Sequence, residues 1–382
     1  MKRLVILLPV LFGFFVMGFC DVVGISTNFV QIDFNLSETV AGLIPSMVFL
    51  WFLLLSVPSA LMMNRIGRKR TVLLSNIVTF AGMILPLIQY NLATCMVAFL
   101  LLGIGNTMLQ VSLNPLLTNI VKGNALTSFL TAGQVVKAIS SFSGPLIAAG
   151  AAIYLGNWKF MFPIFAAITL LSTMWLYFPP IDEEPTESNS NQVMSTFSLL
   201  GQSEICLLFF GIFFIVGVDV GINTLAPKLI ISRCGLPLHQ AAISSSVYFV
   251  CRTAGAMIGS FLLARVSGIT YFRYNIIGAL FVTLTLFFLN NIAGILVAIG
   301  LLGFLCSSIF TIIYARALSI CPDKENEISG LMIMGIVGGA IIPPVMGLAT
   351  DVMNSLSGSI IVLIGCIVYL SYLSMRKEEL TH

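Results

Sequence analysis

Apolar runs of bilayer-crossing length follow one another down this sequence, parted by short polar breaks, and few folds tolerate that pattern. A hydrocarbon core about 30 Å thick takes about 20 helical residues to cross. No water is available inside it, so each backbone amide must bond within its own helix. The spacing predicts helices over 4–30, 39–62, 71–90, 93–120, 126–154, 158–178, 204–231, 240–264, 271–289, 292–318, 328–350 and 357–374. Charged residues make up 9% of the chain, where a soluble domain carries about 25%. The expected class is an all-α membrane protein with twelve transmembrane helices.

Met1-Lys2-Arg3 and the apolar stretch after it resemble a secretion signal. Bulky Phe19, however, stands where a small residue is needed, and the apolar pattern continues past Asp21, so an uncleaved first span is expected. The segment from Pro179 to Gln202, with Asp182, Glu183, Glu184 and Glu187, is too polar to join a core. It divides the chain into a six-helix bundle at 1–178, a cytoplasmic linker at 179–202 and a second bundle at 203–382. Lys2, Arg3, Arg65, Arg68, Lys69, Arg70, Lys122, Arg265, Arg273, Arg316, Lys324, Arg376 and Lys377 all fall on one side of the expected topology. Only Lys159, Lys228 and Arg233 fall on the other. Positive residues stay inside, so both termini are expected in the cytoplasm, in a bacterial inner membrane.

The halves repeat one another. Leu101-Leu102-Gly103 returns as Leu301-Leu302-Gly303 and Arg65 as Arg265, both at an offset of 200. Phe14 to Gly18 parallels Phe213 to Gly217, each followed by an aspartate, Asp21 or Asp219. Parallel duplication of this kind places a solute site between the halves near mid-membrane.

Polar residues inside the spans mark that site. Asn106, Gln110 and Asn114, spaced i, i+4 and i+8, lie along one helix face. Asp21, Lys137, Asp219 and Arg252 are charges within hydrocarbon, each costing about 2.5–3.5 kcal/mol at its centre on insertion scales. Asn28 shares a face with Asp21, and Asn223 with Asp219. Gln134 and Ser141 accompany Lys137, Tyr248 accompanies Arg252, and Tyr314 lies with Ser307 on the tenth helix. Asp21–Lys137 and Asp219–Arg252 are readable as coupling groups or as static ion pairs. The Gly-rich eleventh span, broken by Pro343-Pro344, is readable as a moving interface or as a packing seam.

The run Ala60 to Arg70 resembles the Gly-x-x-x-Asp-Arg-x-Gly-Arg-Lys/Arg loop of the major facilitator superfamily, with Ala60 for the glycine and Asn64 for the aspartate. The resemblance implies two pseudo-symmetric six-helix bundles, with Arg65, Gly67, Arg68 and Arg265 at a gate; the bland reading is that these cations only set topology. Gln110 to Pro115, Gln134 and Gly338 to Gly347 with Asp351 are similar to the fucose–galactose–glucose/proton symporter branch. That resemblance puts Gln134 on a sugar-binding glutamine and Asn114-Pro115 on an Asn-Pro pair. The branch departs at Gln110, where it has a titratable glutamate, at Asp21, one turn before its aspartate near Gly24, and at Lys137, where it has an asparagine.

The expected function is import of a small polar solute, a monosaccharide, by proton symport. Asn106, Gln110, Asn114, Gln134, Lys137, Asn28, Asn223, Tyr248 and Tyr314 would bind the solute, and Asp21, Asp219 and Arg252 would couple it to protons. The alternative is a proton-coupled exporter of hydrophobic or cationic compounds, which Gly144-Pro145 faintly resembles. Expected partners are the sugar, protons and the bilayer, with the chain acting as a monomer. No enzyme chemistry is expected, since Ser244 to Ser246 lack a His/Asp companion and no Walker loop exists. No metal or other cofactor is expected either, because the eight cysteines stand singly and His239 and His382 form no cluster. Nucleic acid has no basic face to bind.

Overall fold

The computed structural model describes residues 2–121, 125–181, 198–263, 265–320 and 324–376. The linker acids Asp182, Glu183, Glu184 and Glu187 lie outside the described residues, as do Lys122, Cys321, Lys377 and His382. Among the described residues every regular element is helical. The first span comprises α1 (Lys2–Met17), a 3-10 segment (Gly18–Val22) and α2 (Val23–Asp33). Next come α3 (Glu38–Ile66), α4 (Arg68–Ile88), α5 (Leu92–Ile120), α6 (Ala125–Tyr154) and α7 (Met161–Tyr177). The second half holds α8 (Ser203–Cys234), then α9 (Leu238–Ala241) with α10 (Ile243–Leu263), and α11 (Gly268–Thr285). Its tenth span is α12 (Ile292–Cys306) with α13 (Ile309–Ile320). The eleventh is α14 (Glu325–Met334), a 3-10 turn (Gly335–Val337) and α15 (Gly338–Met353), and α16 (Ser357–Met375) is the twelfth. Eleven of these spans are long and apolar enough to cross a membrane. The remaining one, α11, carries Arg273, Asn275 and three tyrosine or threonine residues near its start, which lower its hydropathy.

The duplication seen in sequence is repeated in the geometry. Helices begin at Glu38 and Leu238, Arg68 and Gly268, Leu92 and Ile292, and Ala125 and Glu325, all 200 residues apart. Asn91 and Asn291 cap equivalent helices by accepting the backbone N–H of Thr94 and of Gly294. A Cβ on Gly103 would meet the Val48 carbonyl at 2.3 Å, and one on Gly303 would meet the Tyr248 carbonyl at 2.4 Å. Only a residue without a Cβ lets backbones approach so closely, so the Leu-Leu-Gly repeat is a pair of equivalent seams.

Three spans break near their middles, and no sequence signal had marked the first as broken. The 3-10 turn Gly18–Val22 carries Asp21, and the turn Gly335–Val337 precedes Gly338 and Gly339. The tenth span parts at Ser307 and Ser308. Mid-helix 3-10 turns loosen the bonding pattern and serve as hinges. Gly338 sits where a Cβ would lie 1.8 Å from the Phe213 carbonyl. Gly338→Ala is expected to destabilise by at least about 1–3 kcal/mol, because backbone must move to admit the methyl. A thermal melt in detergent checks this; an unchanged midpoint would show that the seam yields freely.

One hydrophobic core is built from residues between Leu199 and Leu373, the other mainly from residues between Leu7 and Leu176. Val220, Leu238, Ala242, Val337 and Ala340 belong to the latter, so the halves are packed against each other and not merely linked.

Candidate functional site

Asp21 is positioned by the 3-10 turn that interrupts the first span. The start of that turn leaves the Met17 carbonyl to the Asn106 amide, which donates to it at 2.7 Å. The carbonyl oxygen of Asn106 in turn accepts from Gln110 at 2.9 Å. Asn106 is therefore engaged at both ends inside the bundle, and in this state it orients Gln110 without itself meeting a solute. Gln110 and Asn114 are half-buried, and the Asn114 Oδ1 has no hydrogen-bond partner. Asn114 lies two turns nearer the end of α5 than Asn106, so the three amides share a face but not a depth.

The α6 backbone presses against this turn. A Cβ on Gly18 would meet the Lys137 carbonyl at 2.7 Å and Ser140 at 2.5 Å. The expected ion pair between Asp21 and Lys137 does not form: the described ion pairs are Lys228–Glu38, Arg252–Asp219 and Arg316–Glu204. Asp21 instead accepts the Ser141 hydroxyl at 2.5 Å, with the Cys20 thiol 3.5 Å away. Ser141, one turn beyond Lys137, supplies the proton donor from closer range than a long ammonium chain. Gln134 is exposed and lies about 140° around α6 from lipid-type residue Ile139, on the side of Lys137 and Ser141.

The second half holds the other pair. Arg252 on α10 meets Asp219 on α8 at 2.5 Å, and their side chains are 29% and 8% exposed. The buried Tyr248 hydroxyl donates to the remaining Asp219 oxygen. Asn223 donates to the Asp219 carbonyl at 3.0 Å, and Ser245 to the Asn223 carbonyl at 3.3 Å. Across the boundary, Asn28 donates to the Thr224 carbonyl at 3.2 Å, and a Cβ on Gly24 would touch Asn223 at 2.8 Å. Both Asn28 and Asn223 keep a buried Oδ1 with no partner. Asp21 and Lys137 lie within electrostatic reach of Asp219, and Asp21 within reach of Arg252. The Tyr314 ring stacks on Phe310 at 6.0 Å, one turn earlier on α13.

Sequence reasoning missed a second cross-half assembly, at the rim carrying residues 34–37 and 354–356. Asp351, at the end of α15, accepts from the backbone N–H of Glu38 at 3.1 Å and of Thr39 at 2.8 Å, and from the Thr39 hydroxyl at 2.5 Å. One half thereby caps a helix belonging to the other. Lys228 forms an ion pair with Glu38, and Gln31 donates to Glu38 at 2.8 Å. Ser46 donates to the Ala340 carbonyl, and Ser246 to the Phe142 carbonyl at 3.0 Å. These bonds join the two halves from that rim inward, and a cavity of about 560 Å³ lined by Asn28, Gln31, Glu38, Lys228 and Leu356 opens beside them.

Beside this rim, Asp33 accepts from Tyr90 at 2.6 Å and from the Trp158 indole at 2.9 Å, while Lys159 sits 3.6 Å over the Tyr90 ring. Burial, with help from the Asp33 hydrogen bond, pushes the Tyr90 phenol well above its ordinary value, so it remains a neutral donor. Trp158 stacks on Phe29 at 4.9 Å and is buried, which makes it a brace and not a sugar platform.

The sequence profile of the Major Facilitator Superfamily matches residues 10–374. The chain belongs to that superfamily. It is similar to a glucose/galactose transporter of Brucella abortus, 26% identical over 341 residues, 83% of this chain and 81% of that one. Among solved structures it is similar to the E. coli fucose:proton symporter, with TM-score 0.67, 16% identity and 98% of each chain covered. It is also similar to a nucleoside transporter, with TM-score 0.82, 11% identity, and 98% of this chain and 99% of that one covered. The two structural likenesses establish the fold alone.

The loop after α3 in this superfamily member is built on Gly67, whose φ of 96° no side-chain-bearing residue adopts cheaply. That turn reverses the chain directly into α4. Arg68 donates to the Pro115 carbonyl at 2.9 Å and to the Asn119 side chain. Lys69 donates to the carbonyls of Tyr177 at 2.9 Å and Pro179 at 2.7 Å. These bonds tie α4 to the end of α5 and to the chain leaving α7. Arg65 and Arg265 are both exposed.

Proposed function

We propose that this protein is a proton-coupled importer of a monosaccharide, working by alternating access between its two halves, 1–178 and 203–382. The observation that carries the reading is that Asp21, bonded to Ser141, lies on the span whose Gly24 and Asn28 pack against Asn223 and Thr224, in the helix that carries the Asp219–Arg252 pair. Intramembrane carboxylates at such a boundary are the usual seat of proton coupling. Gln110, Asn114, Gln134 and Lys137 supply the paired donors and acceptors that sugar hydroxyls need. The names of the relatives, a glucose/galactose transporter and a fucose:proton symporter, support the same class of solute.

The distribution of Lys and Arg supports an extracellular position for that rim and cytoplasmic termini. In the present state Asp351, Lys228, Glu38 and Thr39 join the two halves on the extracellular side. Asp21 exchanges its Ser141 hydrogen bond for an incoming proton, and the halves rock about the central charges. One chain supplies both sides of the site, so a monomer suffices. The first-half bonds of Arg68 and Lys69 make the cytoplasmic loop a rigid bracket that moves with its bundle.

The outer latch has a direct test. Asp351→Ala should raise hydrogen–deuterium exchange several-fold at both 38–46 and 224–228, since losing the cap releases one half from the other. Faster exchange confined to residues 38 and 39 would mean that Asp351 caps α3 without latching anything.

The solute class is tested by a thermal-shift panel on purified protein. Protection by glucose, galactose, fucose or their oxidised forms is expected. Protection by lipophilic cations, with none from any sugar, would favour the exporter reading.

A further inference from the structure

Of the four charges at the centre, Asp219 and Arg252 pair with each other, while Asp21 and Lys137 have no ion-pair partner among the described residues. Asp219 is engaged by Arg252 at 2.5 Å and by Tyr248, and Asp21 takes the Ser141 hydroxyl at 2.5 Å. Among the described residues no carboxylate lies within 4.0 Å of the Lys137 ammonium. Lys137 is nevertheless held beside Asp21, because α6 lies backbone to backbone on the turn at Gly18, and it remains only half-buried. Its charge also reaches Asp219 in the other half. Cys20 on the Asp21 turn, with Tyr248 and Cys306 across the boundary, completes the ionisable groups around these charges.

Resting on the sugar-symport reading above, we infer that the preferred solute is an acidic monosaccharide, a uronic or aldonic acid, whose carboxylate pairs with Lys137. Charge balance in a poorly solvating site favours such a solute. Empty and with Asp21 ionised, the four groups sum to zero. Once Asp21 takes a proton they sum to one positive charge, and a neutral sugar leaves that charge in place. A sugar carboxylate cancels it. Loaded and empty forms are then both neutral, which is the cheapest condition for a site that must cross low-dielectric surroundings. The same balance couples the two solutes. An ionised Asp21 repels the sugar carboxylate and compensates Lys137 from nearby, and protonation removes both obstacles. Proton and sugar anion enter together, with no net charge moved.

The test is competition and uptake in proteoliposomes of the full chain, using labelled galacturonate, glucuronate, galactose and glucose. The wild type should favour the uronates by about tenfold or more, the scale of one charge-assisted hydrogen bond. A pH gradient should drive their uptake, and a potassium–valinomycin potential should leave it unchanged. Lys137→Asn should lose the preference about tenfold, and Lys137→Arg should retain it. Should the variants fail to fold, thermal protection of the wild type by glucuronate over glucose tests the same point. Proton-driven, potential-sensitive uptake of neutral sugars with no competition from uronates would overturn this inference and leave the symport reading standing. Uptake of neither class would take the symport reading down with it.

Discussion

Asp21→Asn is expected to abolish concentrative uptake, by at least about tenfold, while leaving solute exchange across the membrane in place. The substitution keeps the shape of the side chain and keeps an oxygen that can accept from Ser141, now 2.5 Å from the carboxylate. Folding should therefore be nearly untouched. What disappears is a group able to take up and release a proton in the turn Gly18–Val22, where the first span is already loosened. A carrier that cannot carry the proton can still rock with solute bound, so counterflow of labelled against unlabelled solute persists. Uptake under an imposed pH gradient and counterflow, measured on the same vesicles, separate the two. Loss of both would make Asp21 a binding or folding residue; retention of both would remove it from coupling.

The second large effect is expected in stability. Arg252→Met leaves Asp219, 8% exposed, with only the Tyr248 hydroxyl and no ion-pair partner. Removing one member of a buried pair costs about 3–5 kcal/mol, and the partial exposure of Arg252 puts this case at the lower end. The double variant Asp219→Asn with Arg252→Met should recover most of that loss, because nothing charged is left stranded. Melting the single and double variants side by side decides it. Equal loss in both would mean that the arginine matters through its packing. No loss in the single would mean that water reaches Asp219 freely, which would favour a working proton site over a static tie.

These two aspartates occupy matching places in the repeat, yet their surroundings differ. Asp219 lies within the unbroken α8, held by an arginine and a tyrosine, whereas Asp21 lies in a 3-10 turn held by a serine. A duplicated scaffold has kept its helix starts 200 residues apart while the partners of its two carboxylates have diverged. That asymmetry underlies the assignment of Asp21 as the moving proton site.

Much of this was legible in the sequence because lipid imposes simple rules. Span length, the Leu-Leu-Gly repeat and the position of charges inside apolar runs follow from hydration and helix period alone. The Arg252–Asp219 pair was readable in the same way, from two opposite charges on neighbouring spans. Side-chain reach was not. A helical wheel puts Lys137 and Ser141 on one face but cannot say which of them meets Asp21, and the shorter serine does. Nor does it show that a broken first span frees the Met17 carbonyl for Asn106. The latch escaped because Lys228 reads only as a topology-setting cation near the outer end of its span, and because Asp351 reads as part of a family motif. Ser37-Glu38 at a helix start and an acid closing the proline-broken span were its visible traces, and only folding brings them together.

The most direct test of the central claim is the external pH recorded when the transported sugar or sugar acid is added to lightly buffered, de-energised proteoliposomes. The account predicts that the medium turns alkaline as solute and protons enter together through the wild-type protein. A flat trace while labelled solute demonstrably enters would contradict it.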